Sequence, residues 1–586
     1  MLMLVIRLMS INKDLAETFE AAPFGAVVGE STTSQVTVKS KAPFDRGEYV
    51  IIGDGDDAIL GWVEESISKN ELVEHVVDVD SELSQIALAD LNDGEYTEFY
   101  AKVRLLSTLK SIIQENKVTP PRRAPLPGTL VRRADSDILK KIFTKNGSKD
   151  YIRIGVLSAH PDVPFYVNVN KMVSRHLAIV AITGAGKSNT VSVISERLVK
   201  EKRGTVVIFD MHGEYMDALE SEYVNIIEPT LDPTKLDVDA YVKLLNLKGA
   251  AKQELFLRNM LKLWKVLREA GFYTRNEDFF DALTDMIMEM MKSKKLPIVR
   301  DEYVITEILK EYLTSQKVVP KGQPLRLILN VATTSTKNKF NVCIKAPDKC
   351  ERAINVLELT ESDKNSSLPS LLVKLEDARV RYKEIFRFNE PDIDQKIEKG
   401  KLNVIDMSHL DEDMADIVAS IYLRKMLIAR KNAVHEREGP KLEFPVFVIL
   451  EEAHILAPQN RNTLTKYWVS RITREGRKFG LGLAMISQRP KGLDQDALSQ
   501  ANNLIVLRLV EPTDQRHVQE SSEALSEELV KQLPSLATGE AIVLGPMAPL
   551  PAIVKIDKAS KSRVGSDLDI VGLWMKEEEG LEDEWL

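Results

Sequence analysis

The stretch HLAIVAITGAGKSNTVSVISERL, His176 to Leu198, passes from an apolar run through a loop of small residues into an amphipathic segment, with one lysine at the junction. The loop AITGAGKS, Ala181 to Ser188, matches G-x-x-x-x-G-K-[ST] except at its first position. Gly184 and Gly186 let the backbone turn so that successive amides converge on phosphate oxygens, and a helix starting near Lys187 adds its positive dipole end. Lys187 can reach the β and γ phosphates of a nucleotide, and the Ser188 hydroxyl can ligate Mg2+. Ala181 stands where the motif has glycine, which the loop tolerates if that residue keeps a negative φ. Val191, Ile194 and Leu198 supply the buried stripe of the helix, so strand, loop and helix occur in the order a phosphate loop needs.

A kinase or a GTPase also fits such a loop, so the other strands must decide. FPVFVILEEAH, Phe444 to His454, is an apolar strand ending in two carboxylates. Consecutive strand residues face opposite ways, so Glu451 and Glu452 share a site only if the strand ends between them. We assign Glu451 to the water shell of Mg2+ and Glu452 to polarising an attacking water, a pairing that favours hydrolysis over transfer to a substrate hydroxyl. The next strand ends in MISQRP, placing Ser487 and Gln488 beside that pair as γ-phosphate reporters or as a plain turn before Pro490. In the preceding SRITREGRKFG, Arg477 is the best candidate for a guanidinium that stabilises transition-state charge, from this chain or a neighbour. Arg471 and Arg474 are alternatives as surface charges or DNA contacts.

The chain of 586 residues exceeds one hydrophobic core, and its 44% hydrophobic and 28% charged residues are those of a folded globular protein. Apolar runs LAIVAI, TVVIFD, LNVIDM, FPVFVILE, LGLAMIS and NNLIVLRL alternate with helical patterns, predicting an α/β core with a parallel sheet. Short β-rich pieces from about Phe24 to Tyr100 predict a small N-terminal β-barrel, with a short helix in VDSELSQIALADL. The Pro-rich VTPPRRAPLPGTLVRRA predicts a boundary. The expected domains are a barrel over 1–145, a core over 146–556 with a helical insertion at about 237–320, and an acidic tail over 557–586. In the insertion Phe256, Met260, Leu263 and Leu267 form one stripe, and the methionines of DMIMEMMK fill its core.

Cys343 and Cys350 make neither a disulfide framework nor a zinc site, and the opening MLMLVIRLMS is too short for a signal peptide or a membrane span, so a cytoplasmic protein with no membrane partner is expected. Met9 is an alternative initiator. Net charge is −9, yet Gln459 to Lys491 holds eight bases and one acid, while Lys576 to Leu586 holds one base and six acids.

GAVVGESTT, GEYVII, HLAIVAITGAGKSNT, VVIFDMHGEY, FPVFVILEEAH, REGRKFGLGLAMISQRP and LPSLATGEAIVLG, in this order, resemble the archaeal HerA-type DNA translocases of the HerA/FtsK superfamily. The resemblance implies a hexameric ring with a RecA-like ATPase motor behind the barrel, encircling double-stranded DNA. It also implies a NurA-type nuclease docked on the barrel, working in DNA end resection. It assigns Lys187, Glu452, Arg477 (given to the adjacent subunit) and Gln488 to catalysis. ATP would be held by Arg175, Gly184, Ala185, Gly186, Lys187, Ser188 and Asn189, with Ser560 and Lys561 on the adenine side. Asp210 and Glu214 match its D-x-x-G-E-Y motif. In a ring, Arg461 and Lys466 of the loop APQNRNTLTK can track DNA phosphates in the channel, or serve subunit contacts. A protein or conjugation pump ATPase of the same superfamily is the alternative, and a non-hydrolysing ATP-gated clamp is disfavoured by Glu452 and Arg477.

Overall fold

The computed structural model describes residues 22–69, 97–315 apart from 116, 274 and 276–278, residue 328, and 347–561. The expected helix in 79–91, the opening ten residues, Cys343 and the acidic tail beyond 561 lie outside them. The described chain divides into two compact units, Met1–Ile227 with Ile397–Ser408 and Met426–Leu586, and Glu228–Lys396 with His409–Lys425.

The first unit opens with a closed barrel of β1 (Gly25–Val28), β2 (Gln35–Ser40), β3 (Tyr49–Ile52), β4 (Ile59–Lys69), β5 (Glu98–Thr108) and β6 (Leu130–Arg133), in the order β1-β2-β5-β4-β3-β6. Alternation sets its inside: Val36 and Val38 of β2 are buried while Thr37 and Lys39 turn outward, and Val36 sits opposite Val103 of β5. The Pro-rich stretch does more than break the pattern. Its last residues form β6, which pairs with both β1 and β3 and closes the barrel, because the prolines all precede the Gly128 turn and leave the LVRR amides free. The buried Tyr49 hydroxyl donates to Pro551 O at 2.6 Å, and Ser526 Oγ donates to Glu64 at 2.9 Å, tying the barrel to the later chain.

Behind it stands a sheet of eleven strands: β7 (Tyr151–Leu157), β8 (Pro164–Asn168), β9 (Leu177–Val180), β10 (Thr205–Asp210), β11 (Val224–Ile227), β14 (Leu402–Asp406), β15 (Val446–Leu450), β16 (Leu481–Ser487), β17 (Asn503–Leu507), β18 (Glu540–Leu544) and β19 (Ala552–Ile556). Its order is β11-β14-β10-β15-β16-β9-β17-β18-β19-β7-β8. From β11 to β17 every pairing is parallel, as the apolar runs predict. From β17 to β8 every pairing is antiparallel, an extension the runs do not reveal. The central strands are buried on both faces, which explains why they read as continuous apolar runs.

The second unit is mainly helical, with helices Ala251–Glu269, Phe279–Ser293, Glu302–Ser315 and Leu368–Arg381 and a two-stranded sheet of β12 (Lys295–Val299) and β13 (Ile354–Glu358). Phe256, Met260, Leu263 and Leu267 are all buried, and Trp264 meets Phe279 edge-on at 5.2 Å. Of the methionine run, Met286 and Met290 fill the core, while Met288 is exposed.

Candidate nucleotide site

The carboxyl ends of β9, β10, β15 and β16 lie side by side in the parallel sheet, the place where open α/β sheets bind ligands. The loop after β9 carries Gly184 at φ 76° and Gly186 at φ 104°, both in the left-handed region that glycine occupies without cost, and helix Lys187–Lys202 begins immediately afterwards. Ala181 is not among the residues with positive φ; its amide donates to Ser487 O, so alanine serves in the first position of the loop as an extension of the strand. Thr183 Oγ1 donates to Gln488 Oε1 at 2.7 Å, joining the loop to the end of β16.

The strand read from the sequence as ending in two carboxylates stops before both, at Leu450. Glu452 then takes φ 45°, ψ 46°, a left-handed conformation that is costly for a residue with a side chain and clusters at functional sites. The reversal brings both carboxylates to one place. Glu452 Oε1 is ion-paired with Lys187 Nζ, and the carboxylate is almost fully buried. Burial alone would raise its pKa, but His454 and Lys187 beside it hold it down at about 2. Glu451 goes the other way, to about 9: burial pushes it up and neighbouring Asp210 and Glu214 add to the push, against Lys187. Adjacent carboxylates thus differ in their readiness to shed a proton, the signature of divided roles.

Asp210 is fully buried and accepts four backbone N–H bonds, from His212, Gly213 and Glu214 on Oδ1 and from Tyr215 on Oδ2, at 2.9–3.2 Å. Its carboxylate is consumed in shaping the DMHGEY turn. Near that turn, the buried Glu214 Oε2 and, from the strand end, Glu451 Oε1 have no hydrogen-bond partner, while the Tyr215 hydroxyl lies against Ser188. Among the described residues no three His, Cys, Asp or Glu form a ready cage. One hydroxyl and one carboxylate facing a phosphate site nevertheless suit Mg2+, which keeps most of its waters.

The remaining predicted residues fall in three places. Asn189 Nδ2 donates to Asp557 O and its Oδ1 accepts from Ala559 N. Ser560 bonds Glu196 through both its amide and its hydroxyl, and Lys561 Nζ bonds Leu219 O, so the chain beyond β19 does return to the phosphate-loop helix. Arg175 and Arg477 lie elsewhere. Arg175 precedes β9 and Arg477 precedes β16, neighbouring parallel strands, so both stand at the amino edge of the sheet, roughly 20 Å along the strands from their own phosphate loop. Arg461 is exposed and its Nη2 donates to Ile455 O. Lys466 is committed to Asp494 Oδ2 at 2.7 Å and to Pro458 O.

Two residues of the site escaped the sequence: Thr183, and His454, whose Nδ1 lies 3.1 Å from Glu452 Oε2 and 3.2 Å from Ser487 Oγ. The spacing Glu452-x-His454 would face both side chains the same way on a strand, and it signals contact here only because a left-handed residue turns the chain.

Compared with known proteins, residues 152–426 match the family described as "Helicase HerA, central domain". The "DNA double-strand break repair helicase HerA" of Saccharolobus solfataricus is 35% identical over 556 residues, covering 95% of this chain and 96% of its own. The chain belongs to the HerA helicase family. The HerA of Sulfurisphaera tokodaii is 37% identical, covering 95% of this chain and 98% of its own. Among solved structures, the plasmid coupling protein TrwB in complex with the ATP analogue ADPNP matches 74% of this chain and 96% of its own, at 14% identity and a TM-score of 0.43. The fold is that of a P-loop ATPase behind a closed antiparallel barrel, as expected of a HerA protein. No helix among the described residues is long and apolar enough to cross a membrane.

Proposed function

We propose that this HerA family member is an ATP-hydrolysing motor that translocates and unwinds double-stranded DNA in the repair of double-strand breaks, as a cytoplasmic homo-hexamer working with a NurA-type nuclease on its barrel. The observation that carries the hydrolytic part is the pairing of Lys187 with Glu452 at the carboxyl edge of the parallel sheet. In the reading we favour, the γ phosphate of ATP takes the Lys187 ammonium, Glu452 is released from it, and the freed carboxylate aims and polarises the attacking water. Ser188 and, through water, Glu451 would hold Mg2+, which when bound neutralises charge on the β and γ phosphates. Gln488, which accepts from Thr183 of the loop, would report whether the γ phosphate is present. Asn189, Ser560 and Lys561 would frame the adenine side.

The position of the arginines supports a ring. Seven residues of β16 separate Arg477 from Gln488 of the same chain, so a guanidinium serving catalysis must reach the nucleotide of a neighbour. Arg175 at the same edge would act in company with it. The role in break repair is inherited from the named function of relatives that align over nearly the whole chain.

The test is ATP hydrolysis by the purified chain with and without linear duplex DNA, at low and moderate salt. Strong stimulation that fades with salt is the expected result, because phosphate contacts release counterions. Hydrolysis indifferent to DNA, alone and with the nuclease present, would overturn the DNA motor and favour a pump acting on protein.

A further inference from the structure

The two bonds that join the phosphate loop to its neighbouring strands belong to one closed circuit. Starting at the loop, Lys187 Nζ pairs with Glu452 Oε1. The other oxygen of the same carboxylate lies 3.1 Å from His454 Nδ1, and that nitrogen lies 3.2 Å from Ser487 Oγ. Ser487 Oγ accepts the Arg489 amide at 3.0 Å and has a further lone pair for an Nδ1–H that also faces the Glu452 carboxylate, so the imidazole nitrogen is the donor to both. The next residue, Gln488, accepts from Thr183 Oγ1 and so returns to the loop. Ser487 is fully buried, the His454 side chain is 15% exposed, and its Cβ lies close to Gly492, 3.4 Å from where a Cβ there would stand. The ring therefore has little freedom to leave the gap between the end of β15 and the end of β16.

We propose that His454 is a positioning residue for hydrolysis: it holds the Glu452 carboxylate in its aimed orientation and ties that orientation to the Ser487–Gln488 end of β16. This rests on Glu452 being the water-directing carboxylate. The need for it follows from what nucleotide binding removes. Before ATP enters, Glu452 is ion-paired with Lys187 through one oxygen, and His454 Nδ1 lies 3.1 Å from the other. Once the γ phosphate claims Lys187, the His454 imidazole at 3.1 Å is the nearest side-chain partner left to the carboxylate, with His212 Nε2 farther off at 3.9 Å, and the backbone turn beneath it resists the conformation it is in. An unsupported carboxylate would sample other rotamers, and a misplacement of about 1 Å costs on the order of 100-fold in rate.

The experiment uses the full chain with Mg2+, ATP and linear duplex DNA, and compares His454→Leu, His454→Asn, Ser487→Ala and Glu452→Gln with the parent. For His454→Leu the expected result is a fall in kcat of about 10- to 100-fold. KM, and the Kd for a fluorescent ATP analogue, should stay within about twofold. His454→Asn puts an amide where Nδ1 stands and should recover most of the lost kcat, a rescue that simple filling of space does not give. Ser487→Ala should lower kcat in the parent but add little in His454→Leu, since both cut the same circuit. Should His454→Leu fail to fold, the Asn and Ala variants carry the same comparison. Unchanged kcat in His454→Leu, or loss of kcat that Asn does not restore, overturns the positioning role. If Glu452→Gln hydrolyses ATP at the parent rate, the underlying reading fails instead, and the two failures are told apart by that single variant.

Discussion

At the scale of residues, Glu451 and Glu452 show how two adjacent carboxylates acquire different chemistry. One is buried among acids, which pushes its pKa up to about 9, while the other sits against a histidine and a lysine that hold it down at about 2. Glu452→Gln should therefore bind ATP normally and lower turnover by about 10² to 10⁴, the range of a lost general base. Lys187→Ala should lose turnover together with affinity, measured with the same fluorescent nucleotide. His176 makes a prediction about stability. It is buried, its Nδ1 accepts the Leu483 amide, and burial lowers its pKa to about 4. The folded value lies below the unfolded one, so its contribution is complete above about pH 6.5 and is lost as pH falls toward 4, on the order of 3 kcal/mol. Melting curves between pH 7 and 4 should fall less steeply for His176→Asn, which keeps an acceptor without taking a proton. Lys187, Ser188 and Glu452 were legible because each motif is local in sequence. His454 was not, because its contacts depend on one left-handed residue and on a strand some thirty residues further on.

At the scale of elements, β16 is the strand everything leans on, with β15 on one side and β9 on the other. Gly482 lies where a Cβ would come within 2.5 Å of Val173 O and 2.9 Å of the Phe447 ring, neither at the end of a flexible chain. Gly482→Ala should cost about 1–3 kcal/mol, read as a lowered Tm with the nucleotide Kd of the folded fraction unchanged. The parallel half of the sheet could be read from apolar runs, since strands buried on both faces leave no alternation to misread. The antiparallel half could not, because β7 and β19 are too far apart in the chain for any local pattern to pair them. The edge occupied by Arg175 and Arg477 was implicit in the order of the sequence, as both precede their strands.

At the scale of the whole molecule, a ring makes each site the property of two subunits. Arg477→Ala and Glu452→Gln are each expected to be inactive. Mixed before assembly, they should recover part of the ATPase activity, because some interfaces then combine an intact Glu452 with an intact Arg477. No recovery at any mixing ratio would count against a finger supplied by the neighbour. The basic loop behaves unevenly under the same logic. Arg461→Glu should weaken DNA stimulation and flatten its salt dependence without lowering basal turnover. Lys466→Glu should instead lower Tm, since it sets a second carboxylate against Asp494 where an ammonium now lies at 2.7 Å. Composition alone could not separate these two cations.

The pairing of β7 with β19 has a consequence for synthesis. Leu157 meets Val554, about 400 residues later, so on a ribosome adding 5–20 residues per second the β7–β8 hairpin waits roughly 20–80 s with one edge open. An unpaired edge of this kind invites wrong partners, including the same edge on a neighbouring nascent chain. The last of the described strands to leave the tunnel seals the first strand of the sheet, and shielding that edge in the meantime falls to chaperones or to the speed of translation itself.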